Sequence, residues 1–276
     1  MATIKHIIFI VAILATTTLS AQSQYLDLSE EALRCIEADS LTRAEELLKE
    51  AMKLEPTNPS NALLFANLGL VQRRLGETDK AIDSYSYAIN MMPRNKAILL
   101  DRAALYVENG QYTPALYDYN RVIDLDFYNE EALRMRGYVY MMKREYQLAR
   151  NDYNRLLEVK PNDYNTMLGL ITLDQKEMKY REATERVTTM MTLYPDDATL
   201  FIVRADIERE SKHEDLALID LDRAIELNPQ SADAYLLRGD IYLIQGKHKL
   251  ARTDFEKAIS LGVPQSQLHD RMMMVK

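Results

Sequence analysis

The sequence predicts an all-α protein built as an array of helical hairpins, and three observations carry that expectation. Of 276 residues only eight are Gly, eight are Pro and none is Trp, while the strong helix formers Ala, Leu, Glu, Lys, Arg and Met abound. Segments beginning at Ala62, Lys96, Glu130, Tyr164, Ala198 and Ala232 resemble one another at a spacing of 34 residues without a gap, and a weaker copy begins at Tyr25. Within each copy, apolar residues recur at the three- and four-residue steps of amphipathic helices.

In chain order, the N-terminal segment stands apart. Lys5 precedes the apolar run Ile7 to Ala15, and small residues follow, so residues 1–21 read as a secretory signal peptide cut near Ser20 or Ala21. The run is shorter than the roughly 20 residues that a membrane span needs. Cys35, the one cysteine, lies well beyond it in the first predicted helix, as a core thiol rather than a lipid-attachment site or a nucleophile. The expected address is the periplasm or the extracellular space, with membrane association only if the segment stays uncleaved. The formal charge of −8, about −9 after cleavage, disfavours nucleic acid and anionic lipid as partners.

The repeats follow as 25–58, 62–95, 96–129, 130–163, 164–197, 198–231 and 232–265, within a domain of residues 22–265. With positions numbered from the start of each copy, position 20 is Ala in all seven, from Ala44 and Ala81 to Ala251. Position 24 is large and apolar, as Leu48, Tyr85, Tyr119, Tyr153, Val187, Leu221 and Phe255. An alanine beside a large residue is what two closely packed helices require. Apolar residues at 4, 7, 8 and 11 complete the expected core of the first helix. Gly69, Gly137 and Gly239 at position 8 permit close contact, and Gly76, Gly110 and Gly246 at position 15 break the chain between helices. Proline at position 32, as in Pro56, Pro93, Pro161, Pro195 and Pro229, ends the second helix. Thr113 and Pro114 read as an N-cap and first-turn proline. Pro59, Ser60 and Asn61 form an insert after the first copy, and residues 266–276 read as a tail or partial capping helix using Met272 and Met273.

Phe65, Leu68, Gly69, Ala81, Tyr85, Ala88 and Pro93 in one copy, with Tyr235, Gly239, Tyr242, Ala251, Phe255 and Ala258 in another, resemble the tetratricopeptide repeat (TPR) family. The resemblance covers residues 25 to 265. It implies a right-handed α-solenoid of helix-turn-helix repeats, with the first helix of each pair lining a concave groove.

Position 7 is Arg in four copies (Arg102, Arg136, Arg204, Arg238), and position 23 is Asp in the same four (Asp118, Asp152, Asp220, Asp254). Random placement would produce that coincidence about once in 35 trials. An ion pair tying the two helices of a hairpin is expected. Chemistry for catalysis is missing: the histidines show no ligand spacing, and there is no phosphate loop or nucleophile elbow, so no enzyme activity, cofactor or metal is expected.

The resemblance places the groove at positions 2, 5, 6, 9, 12 and 13. It yields the candidate partner-binding residues Leu70, Arg73, Arg74, Asp101, Arg134, Met135, Tyr138, Met141 and Met142, an apolar floor with charged rims. Copies five and six look more polar, with Thr172, Gln175, Asp206 and Arg209. The family's clamp for a terminal carboxylate is absent, because Ser29, Leu33, Ala97 and Asp101 occupy its positions. The expectation is an exported, non-enzymatic scaffold binding a protein or peptide. The alternatives are an envelope assembly or secretion accessory, or a glycan-binding protein or enzyme of the envelope. Leu236, Leu237, Leu243 and Ile244 at the far end raise the prospect of a weak homodimer through the last repeat.

Overall fold

A computed structural model describes residues 22–275, and the segment read as a signal peptide lies outside them. Among the described residues there are helices and turns but no strand. The chain divides into two compact units, Met1–Lys143 and Arg144–Lys276. In the first lie α1 (22–37), α2 (Leu41–Leu54), α3 (Asn61–Arg74), α4 (Thr78–Met91), α5 (Lys96–Glu108), α6 (Tyr112–Leu125) and α7 (Glu130–Met142). In the second lie α8 (Tyr146–Val159), α9 (Tyr164–Lys176), α10 (Tyr180–Leu193), α11 (Ala198–Glu210), α12 (Glu214–Leu227), α13 (Ala232–Ile244) and α14 (His248–Ser260), then a 3₁₀ turn (Gln265–Leu268) and α15 (His269–Met274). Within each unit, consecutive helices pack as antiparallel neighbours.

Close helix approach at the repeated alanine builds each hairpin. All seven alanines of position 20 are fully buried, and so are the position-27 residues Ala51, Ala88, Val122, Leu156, Met190, Ala224 and Ala258. The large residue at position 24 lies across the partner helix: a Cβ on Gly69 would stand 3.0 Å from the Tyr85 ring, and one on Gly239 would stand 2.6 Å from Phe255. The first-helix core differs from the expected 4, 7, 8 and 11. Positions 3 and 10 are buried from the second copy onward, as Leu64 and Val71 or Leu200 and Ile207, whereas position 11 is buried only at Gln72 and Asp174. These first helices are covered on two sides, by their own second helix and by the neighbouring repeat. That widens the buried stripe. Cys35 is half-buried against the first core cluster.

Position 15 adopts the left-handed conformation in every copy. Gly76, Gly110 and Gly246 have φ of 77°, 68° and 69°, but Asp39, Arg144, Met178 and Lys212 take the same conformation at 57°, 62°, 58° and 68°. The amide one residue later donates to the carbonyl five residues back, as from Glu77 to Gln72 at 2.8 Å and from Lys179 to Asp174 at 2.8 Å. This six-to-one bond ends the first helix and satisfies one of its orphan carbonyls. The second helices therefore start without side-chain caps. Residue 113 is not the N-cap of α6: the helix starts at Tyr112 behind Gln111, and Pro114 sits within its first turn. The first helices are capped instead by position 34, where Asn95, Asn129, Asp163, Asp197 and Ser231 accept from amides two or three residues on.

The predicted ion pair forms in three hairpins. Arg102 donates to both carboxylate oxygens of Asp118 at 2.7 and 2.8 Å, Arg204 likewise engages Asp220, and Arg238 engages Asp254 at 2.8 Å twice. Arg136 belongs to the first unit and Asp152 to the second. The arginine also reaches back to the preceding hairpin, donating to position 25: Ser86 for Arg102, Asn120 for Arg136 and Asp222 for Arg238, each at 2.7 Å. Two copies with Leu at position 7 carry a substitute at position 11. Ser84 donates to Gln72 at 2.7 Å, and Gln72 donates to Glu45 of the first hairpin at 3.1 Å. In the fifth copy the charges are exchanged, with Asp174 on the first helix receiving Arg186 from position 23 and Arg150 from the preceding repeat, both at 2.7 Å.

At the C-terminus, the 3₁₀ turn and α15 fold onto the last hairpin. Leu268 and Val275 are buried there and Met272 is partly buried, whereas Met273 is 51% exposed. Leu236 and Leu243 join this cluster, which leaves Ile244 as the exposed apolar residue of the end that suggested pairing.

Two predictions follow from these contacts. A side chain in the left-handed region costs ~1 kcal/mol or more, so Met178→Gly and Lys212→Gly should each raise the urea midpoint by the equivalent of ~0.5–1 kcal/mol after the entropy cost of glycine. Asp118 is fully buried, so Asp118→Ala should cost ~3 kcal/mol by leaving Arg102 unpaired. Adding Arg102→Ala should then cost little more, giving a coupling above ~1 kcal/mol in a double-mutant cycle.

Candidate functional site

First helices of adjacent repeats touch directly, α3 with α5 and α5 with α7 in the first unit and α11 with α13 in the second. Each unit therefore carries a face made of first helices, on which the side chains of positions 2, 5, 6, 9, 12 and 13 stand.

All nine predicted binding residues lie on α3, α5 and α7 of the first unit. Leu70, Met135 and Met141 are half-buried, Tyr138 is 36% and Met142 47% exposed, and Asp101 is exposed. Two of the arginines are engaged within the protein. Arg73 donates from Nε to Glu108 at 2.9 Å and makes a second contact with the same carboxylate, linking α3 to α5. Arg74 turns back to the first hairpin, donating to Asp39 at 2.7 Å and to the Ile36 carbonyl at 3.1 Å. It is a stacking residue rather than a groove residue. Arg134 is half-buried and borders a shallow depression of about 400 Å³ with Asp126, Tyr128 and Glu131.

Beneath this face run the position-24 tyrosines. Tyr85 and Tyr119 are essentially fully buried, and neither hydroxyl has a well-formed hydrogen bond. Burial pushes both phenols well above their usual range, Asp101 adding to the effect at Tyr85 and Glu131 and Glu108 at Tyr119, while the Arg73 guanidinium opposes it at both. Both hydroxyls thus lie within the combined field of Arg73 and the neighbouring carboxylates. The second unit shows where such rings end: the Tyr153 Cζ lies 3.0 Å and its hydroxyl 3.3 Å from where a Cβ on Gly169 would stand, at position 6 of the next repeat.

The second unit holds a concavity that combines the polar residues expected of copies five and six with an apolar floor. About 640 Å³ is bounded by Leu168, Thr172 and Gln175 on α9, Ile202, Val203, Asp206 and Arg209 on α11, Asp233, Leu236, Leu237 and Asp240 on α13, and Arg271 on α15. These are positions 5, 6, 9 and 12 again, with Asp233 at 2. Positions 5 and 6 supply an apolar floor. The rim is polar and internally paired: Gln175 donates to Asp206 at 3.3 Å, Arg209 to Asp206 at 3.2 Å, and Arg271 to Asp240 at 2.6 and 3.0 Å. Another concavity of about 470 Å³ opens among Leu157, Pro161, Met167 and Arg186, on positions that lie outside the first-helix face. Among the described residues no group of His, Cys, Asp and Glu is arranged to hold a metal ion, and no helix is long and apolar enough to cross a membrane.

A tetratricopeptide repeat protein from Parabacteroides merdae is 32% identical, with a TM-score of 0.79 over 92% of this chain and 99% of that one. The tetratricopeptide repeat profiles match residues 31–97, 130–163 and 204–262. The chain belongs to the tetratricopeptide repeat family. Its fold class is accordingly the all-α TPR solenoid. The fold is shared with the C-terminal part of a TPR protein from Cytophaga hutchinsonii (14% identity, 85% and 95% coverage, TM-score 0.66). It is shared also with YrrB, a TPR protein described as having an unusual peptide-binding site (19%, 68% and 95%, 0.52). No curated protein matches in sequence.

One TPR face is thus closed at its end by a helix of the tail. The Arg271 side chain is 42% exposed, so its bidentate pair with Asp240 is worth at most ~1 kcal/mol. Arg271→Ala should leave the melting temperature of the chain nearly unchanged but speed amide exchange throughout α15, measured by hydrogen–deuterium exchange, while α13 and α14 keep their protection.

Proposed function

We propose that this TPR chain is an exported, non-enzymatic scaffold that binds a segment of another protein against its first-helix faces. The observation that carries the proposal is the concavity of the second unit, because the same positions of three successive repeats shape it. Its apolar floor at Leu168, Ile202, Val203, Leu236 and Leu237 offers area for burial, and its polar rim is already oriented by internal bonds. A preorganised rim lowers the ordering cost of binding. The volume suits a few side chains of a docked segment rather than a whole domain. The peptide-binding description of YrrB supports a polypeptide as the class of ligand. Export rests on residues 1–21, where Lys5, a short apolar run and small residues follow one another.

Selection of a random dodecapeptide library on the chain tests the binding role. Selected peptides should bind with micromolar affinity, and Val203→Glu with Leu236→Glu should weaken them at least ~10-fold, or about 1.4 kcal/mol. Leu216→Glu, at an exposed site on the second helix α12, should leave them unchanged. Equal binding by all variants would reject this face. Fusing residues 1–21 to a reporter that lacks its own signal should export it; retention inside the cell would reject the address.

A further inference from the structure

The tail of the second unit continues the repeat frame. Counting 34 residues on from Ala232 starts an eighth copy at Ser266, which puts Leu268 at position 3 and Val275 at position 10. Those two positions are buried in every copy from the second to the seventh, from Leu64 and Val71 to Ala234 and Ile241. Leu268 and Val275 are buried as well, at 1% and 4% exposure, in one cluster with Tyr235, Phe255 and Ala258 of the seventh hairpin. Met272 falls at position 7 and packs partly buried against the same cluster. A segment that matches the frame at 3, 7 and 10 stands as the first helix of a further repeat, although only His269–Met274 of it is α-helical.

This helix differs from the others in how firmly it is held. In α9, α11 and α13 position 8 is buried, as Ile171, Ala205 and Gly239, beside the second helix that follows. In α15 position 8 is Met273, 51% exposed, and position 4 is His269, also exposed. Among the described residues no second helix covers that side of α15. What holds it is Leu268, Met272 and Val275 on one side, with the bond from Arg271 to both carboxylate oxygens of Asp240 at 2.6 and 3.0 Å. A short helix packed on one side lies at the low end of local stability, so it can leave while the hairpin beneath stays folded. By the same count Arg271 stands at position 6, a groove position, and it borders the second unit's concavity together with Leu236, Leu237 and Asp240. The tail bounds that space without filling it, because about 640 Å³ stays open with α15 docked.

We propose that the tail is the first helix of an eighth repeat and the movable fourth wall of this concavity, joining α9, α11 and α13, with Arg271 as the positioning residue that holds the wall in place. A polypeptide segment seated on Leu236 and Leu237 meets α15 only while the tail is docked. The energy of that contact is available to the docked state alone, so a bound segment draws the tail in and a docked tail raises affinity for the segment. This rests on the scaffold reading and adds a coupling between its site and the tail.

Fluorescein-labelled dodecapeptides selected on the full chain test it, by fluorescence anisotropy and by hydrogen–deuterium exchange. Arg271→Asp sets two carboxylates against each other and should release α15, weakening these peptides at least ~5-fold, as expected where the tail is docked in a fifth or less of the molecules. Leu268→Asp, at a buried position that is not among the residues around the concavity, should reproduce the loss with Asp240 and Arg271 in place. In both variants α13 and α14 should keep their protection from exchange, which separates release of the tail from unfolding of the hairpin. Bound peptide should slow exchange throughout α15 of the unaltered chain. If either variant keeps its affinity or binds more tightly, or if bound peptide leaves α15 exchange unchanged, the tail is a passive cover and the coupling is wrong while the concavity stands. If no selected peptide is weakened by Val203→Glu with Leu236→Glu, the scaffold reading itself fails on this face and the coupling falls with it.

Discussion

Within each unit, a hairpin depends on one close contact between its two helices, at the alanine of position 20. Because Ala44, Ala81 and their five counterparts are fully buried, nothing larger fits at that crossing without pushing the helices apart. The same closeness dictates what stands around it. The residue at 24 packs against the first helix, so its size sets the room at position 8: a methyl group on Gly69 or Gly239 would stand 3.0 and 2.6 Å from the rings of Tyr85 and Phe255, whereas the fifth copy, with the smaller Val187 at 24, buries Ile171 at position 8. It also limits the connecting turn to three residues, which reverses the chain only if position 15 is left-handed. That geometry is imposed also on Asp39, which tolerates it, and on Arg144, Met178 and Lys212, which have no preference for it. Packing elsewhere in the hairpin outweighs the local backbone cost.

Apolar packing of this kind leaves the register between similar helices weakly determined, and a buried polar tie supplies what is missing. Arg102, Arg204 and Arg238 each hold an aspartate on their own second helix, and Arg102 and Arg238 hold a position-25 acceptor of the hairpin before as well. One guanidinium thereby aligns three helices. Its fixed fork accepts few arrangements, which is why specificity rather than net stability is its main effect. The fifth copy shows that geometry matters here and not the sign of any position: Asp174 on the first helix and Arg186 on the second exchange the charges, with Arg150 supplying the link backwards.

The repeat frame was readable in the sequence because the constraints just described recur at 34-residue spacing, and helices α3 to α14 start at or beside positions 1 and 17 of it. Ala at 20 and the Arg–Asp coincidence were visible for the same reason. What escaped has physical causes. A left-handed residue announces itself only when it is glycine, so Met178 and Lys212 gave no signal. Gln72 with Ser84, and Asp174 with Arg186, perform the tie from position 11, and a search for one residue type at one position passes over them. The caps at position 34 were available as Asn95, Asn129, Asp163, Asp197 and Ser231, a column of N-cap residues that the frame could have shown. Of the groove residues, Arg73 and Arg74 were placed on the right helix, but position alone does not show that a long side chain reaches Glu108 or Asp39 instead of a ligand.

Structural charges and recognition charges occupy separate positions, and this separation governs what the repeats can become. Positions 7, 11, 21, 23 and 25 carry the ties that hold hairpins in register, with the aspartates of position 23 buried and the acceptors Asn120 and Asp222 of position 25 exposed; positions 2, 5, 6, 9 and 12 face outward from the first helices. A change at an outward position costs little stability because no hairpin contact is lost. The faces are therefore free to diverge while the frame stays intact. In the second unit the outward charges pair with one another, Arg209 with Asp206 and Arg271 with Asp240, which leaves an apolar floor within a neutralised rim. In the first unit Arg73 is paired with Glu108 and also acts on Asp101. Two faces built on one repeat thus differ in how their outward charges are paired, a property that a fixed helical frame leaves free to vary.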